Sequence, residues 1–71
     1  MTKNECKLTL SMLGWEHGPE TIRFRKDINE VWLRTKYEEP GERNIIMYTG
    51  HKVLHFRTYD ELITEIGIIG I

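Results

Sequence analysis

Two helix-start signatures bracket the chain and leave room for little besides strands between them. Thr2-Lys3-Asn4-Glu5 stands near one end and Thr58-Tyr59-Asp60-Glu61 near the other. In each, a Thr hydroxyl can accept from the amide three residues on. The Glu at that position can reach back to the Thr amide, which is the reciprocal pattern of a capping box. Between them the sequence breaks into four β-like runs separated by turn residues. The order is therefore helix, four strands, helix.

The first helical segment has two periodicities. Cys6, Leu8, Leu10 and Met12 alternate with polar residues, as in a strand. Cys6, Leu10 and Leu13 also fall at i, i+4 and i+7, as in a helix. The capping box decides for a helix, and Gly14 stands where a left-handed C-terminal cap belongs. Were the strand period to win, the sheet would have five strands. Gly14 to Glu20 reads as a loop, with Gly18-Pro19 as a breaker. Trp15 is expected to fold back over the core.

Thr21 to Lys26 predicts a strand with Ile22 and Phe24 on one face and Arg23 and Arg25 on the other. Asp27-Ile28-Asn29 is a short turn. Glu30 to Tyr37 follows, with Val31, Leu33 and Thr35 facing one way and Trp32, Arg34 and Lys36 the other. These two runs read as a hairpin. Pro40-Gly41 centres the next turn, as a type II turn prefers. Asn44 to Thr49 and Lys52 to Arg57 are the last two strands, joined at Gly50, a residue free to take positive φ. Ile45-Ile46-Met47-Tyr48 lacks alternation, which predicts a strand buried on both sides, central or under a helix. The final helix carries Tyr59, Leu62, Ile63 and Ile66 as its apolar stripe, and Gly67 is expected to end it.

The fold class this implies is α+β: a four-stranded antiparallel sheet with N- and C-terminal helices packed on one face (α-β-β-β-β-α). Its expected core is Ile22, Phe24, Val31, Leu33, Ile45, Met47, Leu62, Ile63 and Ile66. The 71 residues make a single small domain. A chain of this size buries only about 60% of its unfolded surface, so its stability margin is narrow. Cys6 is the lone cysteine, which excludes an internal disulfide and fits a reducing, cytoplasmic setting. No stretch approaches the roughly 20 apolar residues of a membrane span, and Lys3, Asn4, Glu5 and Lys7 interrupt any secretion signal. A soluble chain without membrane contact is expected.

Net charge is −1, from 10 basic and 11 acidic residues, so global charge selects no nucleic-acid or membrane partner. The distribution is more telling. Between Thr21 and Arg57 the basic residues are Arg23, Arg25, Lys26, Arg34, Lys36, Arg43, Lys52 and Arg57, whereas the acids Asp27, Glu30, Glu38, Glu39 and Glu42 fall mostly in turns or at strand ends. If the first two strands pair, Arg23, Arg25, Arg34 and Lys36 share one sheet face with Trp32. Such a face can neutralise phosphates and stack a base. It can also be an ordinary solvated face whose long stems shield apolar surface.

The remaining chemistry is sparse. His51 and His55 are four residues apart; on a strand at about 3.3 Å per residue they lie roughly 13 Å apart, too far to share one metal. His17 beside Glu16 is a loop pair. Cys6 reads as a small buried side chain rather than a nucleophile, although its place in a first helical turn could lower a thiol pKa. The glycines stand singly and build no phosphate-cradling loop, so no cofactor is expected. Ile68, Ile69 and Ile71 at the end would be costly in water. They either fold back on the sheet or form a contact with another chain, which would make a homodimer.

The order of helix, strands and helix at this length resembles the double-stranded RNA-binding fold and the small mRNA-cleaving toxins built on it. Where those binders carry a lysine cluster at the start of the last helix, this chain has Asp60-Glu61. Where the toxins carry a histidine in a Gly-Ser-His context, it has His17-Gly18 in a loop. The resemblance is architectural and transfers no functional residue. The expectation is then a non-enzymatic protein-binding domain, a regulator or inhibitor that docks on a partner protein. Trp32 and Arg34 lead its surface, because Trp and Arg dominate interface hot spots. Small free-standing domains of phages and mobile elements often have such roles. Nucleic-acid binding through the same basic face is the alternative, and a small RNA-cleaving toxin acting through His17 a remote third.

Overall fold

The computed structural model describes residues 1–18, 22–33 and 45–71. Helix α1 spans Lys3–Met12. Strands β1 (Glu16–His17), β2 (Arg23–Lys26), β3 (Asn29–Leu33), β4 (Ile45–Thr49) and β5 (Lys52–Phe56) follow, and helix α2 spans Tyr59–Ile69. All five strands form one antiparallel sheet in the order β1-β2-β3-β4-β5. The architecture is α+β as expected, but with five strands rather than four. The extra one is not the first segment, which is a helix. It is Glu16–His17, inside the expected loop, paired in the register Glu16↔Arg25 and His17↔Phe24. Ring stacking holds it there: the His17 imidazole lies parallel to the Phe24 ring at 4.5 Å. Two residues carry no readable period, so nothing in the local sequence announces this strand.

The capping box at Thr2 forms in full. Glu5 N donates to Thr2 Oγ1 at 3.2 Å, and Thr2 N donates to Glu5 Oε1 at 2.9 Å. At the second helix only half of the box forms. Glu61 N donates to Thr58 Oγ1, but the Glu61 carboxylate reaches one residue further and accepts from Arg57 N at 3.2 Å. The two helix starts are tied together by the N-terminal ammonium, 3.1 Å from Asp60 Oδ2. At its other end α1 has no basic residue in its last turn. Lys26 of β2 supplies one, donating from Nζ to the Leu13 carbonyl at 2.7 Å. A cation there offsets the negative end of the helix dipole.

Strand register explains the core. Phe24, Val31, Met47 and Leu54 lie across the sheet in one row, and Leu33, Ile45 and Phe56 in the next. All but Leu54 are buried, and Leu54 is partly so. They form one cluster with Cys6 and Leu10 of α1, Trp15, and Leu62 and Ile66 of α2. Both helices therefore cover the same sheet face. Of the expected core, Ile22 and Ile63 sit at the margin, partly buried against the cluster. Trp15 does fold back, at 3% exposure. The β4 run corrects an expectation: it lies inside the sheet, between β3 and the edge strand β5, but is not buried on both faces. Ile45 and Met47 point inward, while Ile46 is half-buried and Tyr48 exposed. An apolar run without alternation here marks an open face that is itself partly apolar.

Two-residue turns join β2 to β3 and β4 to β5, closed by the pairs Lys26↔Asn29 and Thr49↔Lys52. Each has a positive φ at its first central residue, Asp27 at 54° and Gly50 at 60°. The expected Pro40-Gly41 turn and the outer parts of the flanking strands lie outside the described residues.

Helix α2 does not stop at Gly67. It continues through Ile69 and is closed by Gly70, at φ 75° and ψ 30°, whose amide donates to the Ile66 carbonyl. The C-terminal isoleucines are thus mostly the last helical turn rather than a tail. Ile68 is 72% exposed and Ile69 is exposed, while Ile71 turns back against the core. A Cβ at Gly67 would meet nothing within 4 Å, and a mid-helix glycine costs up to about 1 kcal/mol relative to Ala. Gly67→Ala should therefore stabilise the fold by about 0.5–1 kcal/mol, whereas Gly70→Ala, forced to positive φ, should destabilise it by about 1 kcal/mol or more. Thermal unfolding checks both, at about 4–8 °C per kcal/mol for a domain of this size. A helix ending at Gly67 would reverse the two signs.

Candidate interaction surface

The sheet face away from the helices is open among the described residues. Alternation puts two rows of side chains on it. One is Glu16, Arg25, Glu30, Tyr48 and Val53; the other is Arg23, Trp32, Ile46 and His55. Trp32 and Arg23 are cross-strand partners, as are Arg25 and Glu30. The structure thus brings three of the five expected surface residues, Arg23, Arg25 and Trp32, onto one face. Arg34 and Lys36 lie outside the described residues.

Trp32 is half-buried and held from three sides. The Arg23 guanidinium carbon stands 4.0 Å above the ring centroid. The indole Nε1 donates to Glu30 Oε1 at 2.7 Å. The Tyr48 ring meets it edge-on at 66°, with centroids 6.5 Å apart. Glu30 is the hub. The same Oε1 lies 3.2 Å from Arg23 Nε, and its Oε2 lies 3.7 Å from Arg25 Nη2. A cation over an indole contributes about 0.5–1 kcal/mol at exposed sites, and each ion pair here, on partly exposed side chains, at most about as much. Their joint effect is mainly geometric: they fix one orientation of a large aromatic side chain before anything binds.

Glu30 also changes the electrostatics of the face. Charge segregation along the sequence suggests basic strands with acids in turns. In the fold, Glu30 and Glu16 share the open face with Arg23 and Arg25, so among the described residues two cations meet two carboxylates on it. Glu30 was legible only as a strand-end acid. The signal that finds its role is its i, i−2 spacing from Trp32, which on a strand means the same face. Tyr48 and Val53, 40% and 50% exposed, extend the apolar part of this surface. They lie on other strands, and only the register identifies them.

The remaining chemical candidates are placed as follows. His51 lies in the β4–β5 turn and His55 on β5, and among the described residues no group of three or more His, Cys, Asp or Glu is arranged to hold a metal. His17 stacks on Phe24 at the sheet edge. No helix among the described residues is long and apolar enough to cross a membrane. Cys6 is fully buried, and burial pushes its thiol up to about 11, with the Asp60 carboxylate adding to the shift. A raised pKa is the opposite of what a thiolate nucleophile needs.

No family model matches the chain, and neither a curated protein nor a solved structure is found to be similar to it.

The Cys6 environment gives a pH prediction. The thiol ionises near its ordinary value of 9 once the chain unfolds, but only near 11 when folded. Above pH 9 the unfolded chain loses a proton that the folded chain keeps, so this group lowers stability as pH rises from about 9 to about 11. Denaturant midpoints across that range should fall in the wild type and fall less in Cys6→Ala. A thiol-reactive dye at pH 8 should label the chain in 6 M guanidinium and not in its native state. Rapid native labelling would contradict the burial of Cys6.

Proposed function

We propose that the chain is a small, non-enzymatic protein-binding domain that regulates a partner protein by docking through the open sheet face, with Trp32 as the anchor. The observation that carries this reading is the pre-set Trp32 side chain, with Arg23 stacked above it and Glu30 bonded to its N–H. Immobilising a side chain on binding costs about 0.5–1.5 kcal/mol, and an anchor already immobilised avoids most of that cost. Tyr48, Ile46 and Val53 give it an apolar surround, and Arg23, Arg25, Glu30 and Glu16 a polar margin of mixed sign. Apolar centres with polar rims are the ordinary anatomy of protein interfaces.

Among the described residues, the charge balance of the face favours a protein over a nucleic acid as partner. Phosphate binding needs uncompensated cations. Here Arg23 and Arg25 both share Glu30. The two readings separate under salt. A protein partner captured from the native host should remain bound as salt rises from 0.05 to 0.5 M, and Trp32→Ala should weaken it by about 2 kcal/mol or more, roughly thirtyfold. A complex with single-stranded or duplex oligonucleotide that weakens steeply with salt, and tolerates Trp32→Ala better than Arg23→Ala, would overturn the reading in favour of nucleic acid.

A further inference from the structure

Strand β5 ends the sheet, and among the described residues nothing pairs with its outer side. The two-residue turn makes Thr49↔Lys52 a hydrogen-bonded pair. Alternation then gives Leu54 and Phe56 to β4, and it turns the backbone N–H and C=O of Val53 and His55 towards the open edge. Along that edge runs a groove of about 760 Å³, with Val53, Leu54, His55 and Phe56 on one side and Asp60, Glu61, Thr64 and Glu65 of α2 on the other. An unpaired strand beside a helix is the arrangement in which an extended peptide can add to a sheet, gaining main-chain hydrogen bonds from the strand and side-chain selectivity from the helix.

The helix wall decides what fits. It carries three carboxylates and no cation. Asp60 is engaged by the N-terminal ammonium and Glu61 by the Arg57 amide, whereas Glu65 has no ion-pair partner among the described residues. A second copy of this chain, paired edge to edge through β5, would set its own Asp60, Glu61 and Glu65 against the same three residues. Like charges therefore work against self-pairing at the edge. They favour a strand with cations at alternate positions. Residues of an added strand alternate between the helix side and the open-face side. The helix side meets the carboxylates, and the other side meets the exposed Val53.

We propose that the groove between β5 and α2 binds an extended segment of a partner protein as a sixth strand, selecting alternating basic and apolar residues. This site adjoins the Trp32 face at Val53, but it is built on the β5 edge and the α2 carboxylates and does not rest on the Trp32 reading. The test uses the full chain, ¹⁵N-labelled, with two synthetic decapeptides, one of alternating Lys and Val and one of alternating Glu and Val. The Lys-Val peptide should shift amide resonances of residues 53–56 and 60–65 and slow hydrogen exchange at Val53 and His55. The Glu-Val peptide should do neither. Glu65→Lys should weaken the Lys-Val peptide by about two- to fivefold, as loss of one partly exposed charge pair does. Val53→Pro removes one outward N–H from an edge position where proline is tolerated, and should weaken it by about fivefold. Absence of protection at Val53 and His55 with millimolar Lys-Val peptide would overturn the proposal. So would equal binding of both peptides, shifts confined to Trp32 and Tyr48, or protection of the edge by the protein's own concentration alone.

Discussion

One-sided burial of the sheet governs the rest of this structure. The rows Phe24–Val31–Met47–Leu54 and Leu33–Ile45–Phe56 must be covered, and among the described residues two short helices cover them. Both go to the same side. A period of two then sends every other residue to a face the helices do not reach. The open face is thus a consequence of the core. Slipping β3 by one residue would bury Trp32 and expose Val31 and Leu33.

That constraint also explains what the open face looks like. A sheet face without a helical cover still has apolar area to shield. Here Arg23 lies over Trp32 rather than extending into water, and Glu30 fixes both. The arrangement partly shields the indole and fixes its orientation, which is what the proposed docking reading draws on. The β5–α2 groove arises from the same geometry at the sheet margin. The covering helix ends its coverage at β5, leaving a strand edge with a wall of α2 carboxylates beside it.

Much of the fold was legible because local signals agreed with global need. The Thr2 capping box and Gly14 resolved a segment whose apolar spacing fits both helix and strand. Alternation in Ile22–Arg25 and in Val31–Leu33 is enough to put Trp32 and Arg23 on one face. The misses have physical causes. Glu16–His17 pairs through tertiary stacking on Phe24, a contact no two-residue pattern encodes. Gly67 resembles a helix stop, yet the helix absorbs it because Ile66 is buried below it and Gly70 supplies the left-handed closure. Ile45–Tyr48 reads as buried on both sides because hydropathy does not distinguish a covering helix from a cation stacked on an aromatic neighbour. The site was half legible: its anchor could be read, while its hub, Glu30, acquires its role only through cross-strand register.

The two tryptophans offer the most direct test, since the account puts them in opposite environments. Trp15 is 3% exposed within the core, and its indole N–H has no acceptor among the described residues. Trp32 stands on the open face. Acrylamide quenching of fluorescence should therefore be weak in Trp32→Phe, which reports Trp15, and several-fold stronger in Trp15→Phe, which reports Trp32. Equal shielding of both indoles in folded protein, or the reverse order, would mean that Trp32 is enclosed and that the open face does not exist.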